Sequence, residues 1–320
     1  MTLPDAASAP LNDADEALAA LLRLLREQAY RFVSPTPATH ARVLARPERQ
    51  QARSLRDVLG WSLPYRPGTI DREVEDLLEQ AGMLDDEGAA RRSRVRVSSL
   101  RDTLFLHSAY PTADEDAVFF GPDSYRFADL IAAELNAAPP PAGARLVDLG
   151  TGSGVGGIVA ATACPWLDVA LTDLNPKALR FARINARAAG VEADLFETRG
   201  LATVPDPIDL ISANPPYIID SSARLYRDGG GMHGGQVSLD MAREGLARLA
   251  PGGRLILYTG SAIVDGADPL RTALEGCAAD AGCTVRYREL DPDVFGEELE
   301  GEAYREVERI ALVAAVIVRR

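Results

Sequence analysis

The segment from Ile211 to Asp220 contains the residues whose types and spacing best define a chemistry, namely Asn214, Pro215, Pro216 and Tyr217. A nitrogen whose lone pair is delocalised into a carbonyl or a heteroaromatic ring is a poor nucleophile. A catalyst must therefore hold its hydrogens and leave the lone pair facing an activated methyl group. The Asn214 side-chain oxygen and the Pro215 carbonyl can each accept an N–H, and Tyr217 offers a flat face for stacking. The quartet predicts methylation of a planar nitrogen, with positioning supplying most of the rate enhancement.

The residues before this quartet decide how it is interpreted, because Asn-Pro and Pro-Pro pairs also mark ordinary turns. Ile208, Leu210 and Ile211 form an apolar run that predicts a buried strand. The quartet then follows the carboxyl end of that strand, which is where open parallel sheets bind their ligands. This context favours a binding site over a structural turn.

A second motif lies upstream, where residues 144–159 read as a buried strand, a tight glycine turn and the start of a helix. Gly150, Gly152 and Gly154 permit unusual backbone angles and the close approach of a ligand, and the following helix presents free N–H groups. The segment predicts a nucleotide-binding turn. No Gly-Lys-Ser/Thr follows the glycines, so the sequence does not favour a P-loop.

Two ligand classes fit this turn. Gly152, Gly154 and Gly157 match the G-x-G-x-x-G pattern of dinucleotide sites, which leaves an NAD-dependent oxidoreductase as an alternative. Asp148 favours S-adenosylmethionine, because a carboxylate before the turn would repel a pyrophosphate but can accept hydrogen bonds from a cationic amino-acid group. Asp173 ends the next predicted strand and can hold both ribose hydroxyls of either ligand.

Together these motifs resemble the class I S-adenosylmethionine-dependent methyltransferases of the Asn-Pro-Pro-Tyr group, over roughly the last two thirds of the chain. Within that group the chain is most similar to the HemK/PrmC-like enzymes, which methylate a glutamine side-chain amide in translation release factors. It is also similar to the related small-domain methyltransferases of ribosomal and transfer RNA. The resemblance implies that Asn214, Pro215, Pro216 and Tyr217 are catalytic. The cofactor contacts that it implies are Asp148, Gly150, Thr151, Gly152, Gly154, Asp173, Leu174, Arg199 and Asn214.

Two flanking segments extend the resemblance. Residues 118–124, followed by an apolar helix, resemble the segment that closes over the cofactor in these enzymes, and residues 226–239 resemble the glycine-containing loop of the HemK-like branch. The chain departs from the family at two places. Thr198 and Arg199 stand where similar enzymes often carry Asp and a bulky residue near the adenine, and Arg227-Asp228 replaces an acidic-proline pair. The glycine-containing loop and the acidic net charge favour a protein glutamine as the acceptor, whereas the arginines near the predicted hairpin favour an RNA base, which is the alternative.

The expected fold class is α/β. Further apolar runs predict strands over 193–198, 254–258, 284–289 and 310–318, and they alternate with predicted helices over 176–189, 237–249 and 267–281. The resemblance implies a Rossmann-like sheet of seven strands, the last antiparallel, in a methyltransferase domain over residues 111–320. Residues 1–110 show no such alternation of predicted strands and helices.

The first 110 residues are expected to form a smaller substrate-recognition domain. A leucine-rich helix near 13–31, a helix over 70–82 and a hairpin containing Val95 and Leu104 suit a winged-helix-like unit with the hairpin as its wing. Five arginines lie on or beside that hairpin and could meet RNA phosphates or an acidic partner, or could simply protect a solvated strand edge. They are Arg91, Arg92, Arg94, Arg96 and Arg101.

Composition limits the function classes. The chain has 320 residues with 47% hydrophobic content and a net charge of -13, which argues against a broad electropositive surface for nucleic-acid backbones. No run approaches the roughly twenty apolar residues of a membrane span, and the amino terminus lacks a basic, then apolar, signal segment, so a cytoplasmic location is expected. The three cysteines and three histidines are scattered, and no metal site is expected.

Overall fold

The structure is a computed structural model that describes residues 11–220 and 226–320. Residues 1–10, which bear on the expectation about a signal segment, lie outside the described part. The helices are α1 (Asp13–Glu27), α2 (Pro37–Leu44), α3 (Leu55–Leu59), α4 (Arg72–Gln80), α5 (Pro122–Ala137), α6 (Val155–Ala163), α7 (Pro176–Ala189), α8 (Gln236–Arg248) and α9 (Pro269–Asp280). The strands are β1 (Leu84–Glu87), β2 (Ala90–Ser93), β3 (Val95–Leu100), β4 (Thr103–Ser108), β5 (Arg145–Leu149), β6 (Asp168–Asp173), β7 (Asp194–Glu197), β8 (Ile208–Ala213), β9 (Leu249–Ile263), β10 (Cys283–Asp291) and β11 (Arg309–Arg319).

The α/β fold with a seven-stranded sheet is confirmed. The strand order is β10-β11-β9-β8-β5-β6-β7, and β11 runs antiparallel to both of its neighbours. The order reverses around β5, which pairs in parallel with β6 on one side and β8 on the other. Such a switch point opens a crevice at the carboxyl ends of the strands. The glycine turn after β5 and Asn214 after β8 therefore meet at one edge of the sheet.

Helix α6 lies close to the sheet because two of its residues have no side chain. A Cβ atom at Gly156 would stand 2.0 Å from Asp148 Oδ1, and one at Gly157 would stand 2.3 Å from Leu171 Cδ2. Neither distance is compatible with a real contact, so only glycine allows the first turns of α6 to lie this close to β5 and β6. The helix amino terminus is thereby held directly behind the glycine turn.

The amino-terminal region contains two hairpins rather than one. The expected hairpin is present as β3–β4, but β3 is buried along its whole length, which does not suit a projecting wing. The more exposed hairpin β1–β2 was not predicted; it follows α4 directly and forms a bridge from Arg91 to Tyr65. The buried hairpin β3–β4 does not fit the expected wing, and the winged-helix-like unit itself stays a prediction. The division of the chain near residue 110 stays a prediction.

The hydrophobic core of the amino-terminal region extends into the sheet domain. Ala178, Phe181 and Ile184 of α7 belong to the same buried cluster as the leucines of α1. The region before β5 is thus packed firmly against the helix that follows β6.

No helix among residues 11–220 and 226–320 is both long and apolar enough to cross a membrane.

The five arginines near the hairpins have partners within the chain. Four of them form ion pairs, which are Arg91 with Glu75, Glu79 and Asp86, Arg92 with Glu87, Arg94 with Asp85, and Arg101 with Asp129. The fifth, Arg96, is buried and donates a hydrogen bond to Ser34 Oγ. These contacts leave less charge for RNA phosphates than the sequence suggested.

The close packing of α6 can be tested with a single methyl group. Replacing Gly156→Ala should lower the free energy of unfolding by about 2 kcal/mol, because the new Cβ must displace the Asp148 carboxylate. The measurement is urea-induced unfolding. Gly276→Ala is the matched control, since Gly276 lies in α9 and its Cβ would meet nothing within 4 Å; it should gain up to about 1 kcal/mol from helix propensity. Equal stability of the two variants would contradict the packing described.

Candidate active site

One cavity of about 750 Å³ opens at the carboxyl ends of β5, β6 and β8. Its volume lies in the range of small-molecule sites. Of the residues singled out from the sequence, it brings together Gly150, Thr151, Gly152, Asp173, Leu174, Arg199, Asn214, Pro215, Pro216 and Tyr217. Asp148 and Gly154 do not line the cavity, and both lie behind the glycine turn.

The glycine turn has the backbone geometry that its sequence requires. Gly150, Gly152 and Gly154 have φ angles of 70°, 55° and 88°, which side-chain-bearing residues rarely adopt. Gly154 is the N-cap of α6, so the turn passes directly into the helix amino terminus. Gly150 and Gly152 line the cavity, and because they have no side chains they bring only backbone to it.

Asp148 lies beneath this turn instead of facing the cavity. Thr151 Oγ1 donates a hydrogen bond to its Oδ2 at 2.5 Å, and Ser212 Oγ donates one to its Oδ1 at 2.7 Å. Burial raises the pKa of the Asp148 carboxyl to about 6, although the two hydroxyl donors favour its charged form. The expected contact with a cationic ligand group would compete with these bonds. Asp148 is placed to brace the turn, and its direct contact with a ligand stays a prediction.

Asp173 faces the cavity from the end of β6. Its Oδ2 accepts a hydrogen bond from the Gly152 N–H at 2.8 Å, and its Oδ1 accepts one from the Asn175 N–H at 2.9 Å. Burial raises the pKa of this carboxyl, while those N–H donors lower it. Each carboxylate oxygen has a further lone pair, so the group can still accept two ligand hydroxyls. The geometry suits the ribose role expected for it.

The residues expected near an adenine lie beside Asp173. Leu174 is 45% exposed, which is unusual for a leucine in this chain, and lines the cavity. Thr198 and Arg199 also line it, and the Thr198 N–H donates to the Asp173 carbonyl at 3.0 Å. Contact of Thr198 and Arg199 with an adenine, which the family resemblance implies, stays a prediction.

Asn214 stands directly after β8 and is only partly buried. Among residues 11–220 and 226–320, its carboxamide has no hydrogen-bond partner. Pro215 and Pro216 line the cavity next to it. The Asn214 side chain is therefore available to a molecule bound in the cavity.

Tyr217 is held more tightly than its sequence context suggested. Its ring is only 7% exposed, and its hydroxyl donates to Asp123 Oδ2 at 2.8 Å. A Cβ at Gly260 would stand 2.3 Å from the ring, so this part of Tyr217 lies directly against the β9 backbone. Phe295 meets the ring edge-on with centroids 5.8 Å apart. Little of the expected stacking face is free.

Several cavity residues were not identified from the sequence as individual site residues. Asp123 and Phe119 lie in the segment expected to close over the cofactor, and that segment does line the cavity. Phe119 stacks nearly parallel to Tyr226 at a centroid distance of 5.7 Å. Phe295 comes from the connection between β10 and β11, for which the sequence carried no motif.

The β10–β11 connection holds the chain that follows Tyr217. The Ile219 N–H donates to the Tyr304 hydroxyl at 2.7 Å, and Arg227 forms an ion pair with Glu298. Arg227 and Asp228, the residues that depart from the family pattern, both line the cavity. In the described ranges, 11–220 and 226–320, no group of three or more His, Cys, Asp or Glu residues is arranged to hold a metal ion.

Comparisons with known proteins agree with this geometry. A family model described as the methyltransferase small domain matches residues 126–277. The chain is 33% identical over 219 residues to the release factor glutamine methyltransferase of Deinococcus radiodurans, covering 65% of this chain and 74% of that protein. It is 29% identical over 228 residues to the same-named protein of Cereibacter sphaeroides, covering 67% of this chain and 80% of that protein. The crystal structure of Trm5b from Pyrococcus abyssi shares the fold, with a TM-score of 0.50, 14% identity and coverage of 78% of this chain and 68% of that chain.

The cofactor side of the cavity can be tested through Asp173. Asp173→Ala should weaken binding of S-adenosylmethionine roughly tenfold to a hundredfold, because hydrogen bonds to a charged group contribute about 1.5–3 kcal/mol. Isothermal titration calorimetry measures the affinity. Asp168→Ala is the matched control, since Asp168 begins the same strand at the opposite edge of the sheet and pairs with Arg145. Unchanged affinity in Asp173→Ala would remove Asp173 from the site.

Proposed function

Because this chain belongs to the class I S-adenosylmethionine-dependent N-methyltransferases of the HemK/PrmC-like group, we propose that its acceptor is the side-chain amide of a glutamine in a translation release factor. Its cofactor is S-adenosylmethionine, and this membership removes the NAD-dependent alternative. Two relatives named release factor glutamine methyltransferase support the glutamine assignment. A translation factor as substrate also agrees with the expected cytoplasmic location.

The unpartnered Asn214 carboxamide in the cavity is the observation on which this proposal chiefly depends. An amide NH₂ has two hydrogens in one plane, and the Asn214 oxygen and the Pro215 carbonyl can accept one each. Holding both hydrogens fixes the amide plane and turns the nitrogen lone pair out of it. S-adenosylmethionine, when bound, would supply a methyl group on a sulfonium, from which a neutral thioether leaves. The amide nitrogen would form the new C–N bond as the C–S bond breaks, and the amide would then lose one proton to solvent.

Charge near the cavity favours a protein acceptor over RNA. The lining carries six acidic residues and two arginines, which are Asp123, Asp173, Asp228, Asp240, Glu244 and Glu297 against Arg199 and Arg227. The whole chain has a net charge of -13. Nucleic-acid binding relies on basic side chains that neutralise phosphates, and four of the five arginines near the hairpins are already paired with acids. These charges support a polypeptide substrate.

The acceptor class can be determined directly. The protein is incubated with methyl-labelled S-adenosylmethionine and purified release factor, and separately with total RNA from cells lacking its gene. We expect label in the release factor, removed by protease and located on a glutamine by peptide mass spectrometry. Replacing that glutamine by alanine should abolish incorporation. Label that appears in RNA and is lost with ribonuclease would overturn the proposed acceptor.

The role of Asn214 can be separated from cofactor binding. Asn214→Ala should lower kcat about a hundredfold or more, because the amide loses one of the two acceptors that orient it. The affinity for S-adenosylmethionine should fall much less than turnover, as measured by calorimetry on the same preparation. Asn136→Ala is the matched control, since Asn136 is exposed near the end of α5, away from the cavity. Near-normal turnover in Asn214→Ala would sink the mechanism.

A further inference from the structure

Asp123 is a buried carboxylate in the cavity wall, and the proposed mechanism gives this side chain no role of its own. It is the second residue of α5, and only 8% of it is exposed. Both of its oxygens accept hydrogen bonds from tyrosines, Oδ2 from Tyr217 at 2.8 Å and Oδ1 from Tyr258 at 2.9 Å. An isolated buried carboxylate is costly, so such a residue needs partners of this kind. One of these two partners, Tyr217, belongs to the Asn-Pro-Pro-Tyr quartet.

The hydrogen bond to Asp123 fixes the hydroxyl end of the Tyr217 ring, which lies farthest from the main chain. The main chain of Tyr217 is held by the turn, and one part of its ring lies against Gly260. Phe295 meets the ring edge-on from another direction. With the hydroxyl also bound to Asp123, the ring cannot rotate without losing a hydrogen bond from inside a buried site.

The surroundings of Asp123 favour its acceptor role. A carboxylate offers only acceptors when it is ionised, which suits two tyrosine donors. Burial raises its pKa, whereas the two hydroxyls and the nearby Arg126 lower it. Arg126 Nη1 lies 4.0 Å from Oδ1, and Arg126 also pairs with Asp291.

We propose that Asp123 is a positioning residue for methyl transfer, which acts through Tyr217 to hold the amide-binding turn, with Tyr258 completing its hydrogen bonds. Asp123 belongs to the segment that covers the cavity, and Tyr217 belongs to the turn that receives the acceptor. The hydrogen bond between them therefore connects the segment 118–124 to the turn formed by Asn214 to Tyr217. This inference rests on the proposed function for its kinetic test but not for its structural one.

A double-mutant cycle provides the kinetic test. Asp123→Ala should lower kcat about tenfold or more while the affinity for S-adenosylmethionine changes less than about twofold. Asp123→Asn, which keeps one acceptor oxygen, should recover part of the loss. In a Tyr217→Phe background, Asp123→Ala should cost less than about a further twofold, because the bond through which it acts is already gone. An equal loss in both backgrounds would overturn the proposal.

A matched control separates this role from general stability. Tyr287→Phe removes another tyrosine–aspartate hydrogen bond, to Asp268 Oδ2 at 2.6 Å, outside the cavity. It should leave kcat unchanged, and thermal unfolding confirms that each variant is folded. If Asp123→Ala does not fold, the cycle is run with Asp123→Asn. A folded Asp123→Asn variant with wild-type turnover would then contradict the proposal.

The structural test needs no acceptor. The protein is labelled with 3-fluorotyrosine, and the Tyr217 resonance is assigned in the fluorine NMR spectrum through Tyr217→Phe. Asp123→Asn should shift or broaden that resonance in the presence of S-adenosylmethionine, whereas Tyr287→Phe should not. An unmoved resonance would overturn the positioning role. Failure of the wild-type protein to methylate a release factor would instead count against the proposed acceptor alone.

Discussion

The buried carboxylate of Asp148 joins the two parts of the active site. Thr151 donates to it from the glycine turn after β5, and Ser212 donates to it from β8, the strand that ends at Asn214. The cofactor turn and the acceptor turn are therefore bound to a single side chain between adjacent parallel strands. A change in the position of either turn breaks a buried, charge-assisted hydrogen bond. Under the proposed function, the distance between the methyl donor and its acceptor depends on this connection.

Keeping Asp148 in place has a cost elsewhere in the fold. Burial raises its pKa to about 6, because desolvation of the charged form outweighs the hydrogen bonds from its donors. The carboxylate also requires glycine at position 156, because any Cβ there would meet Oδ1. A glycine inside a helix lowers helix stability by about 1 kcal/mol relative to alanine. The position of Asp148 beneath the glycine turn is thus kept at the expense of the stability of α6.

The sequence predicted those features that local chemistry determines. Helix α7 begins at Pro176 and ends at Ala189, as expected, because a proline suits its first turn and Gly190 ends it. The hairpin β1–β2 was missed because Leu84–Glu87 is mostly polar and shows no apolar alternation. The contacts of Asp123 and Phe295 with Tyr217 could not be predicted from the sequence. Asp123 lies about ninety residues before Tyr217, and Phe295 lies about eighty residues after it. Long-range pairing of this kind leaves no local pattern.

The amino-terminal region is coupled to the cofactor site by one buried amide. Asn185 of α7 accepts a hydrogen bond from the Leu106 N–H and donates to both the Leu106 carbonyl and the Ser153 carbonyl. Its side chain therefore connects hairpin β3–β4 to the glycine turn. Pro37 at the start of α2 also lines the cavity. Both regions therefore contribute residues to the rim of the cavity. Under the proposed function, a macromolecule that delivers its amide to Asn214 approaches this rim, and the amino-terminal region is placed to influence the choice of acceptor.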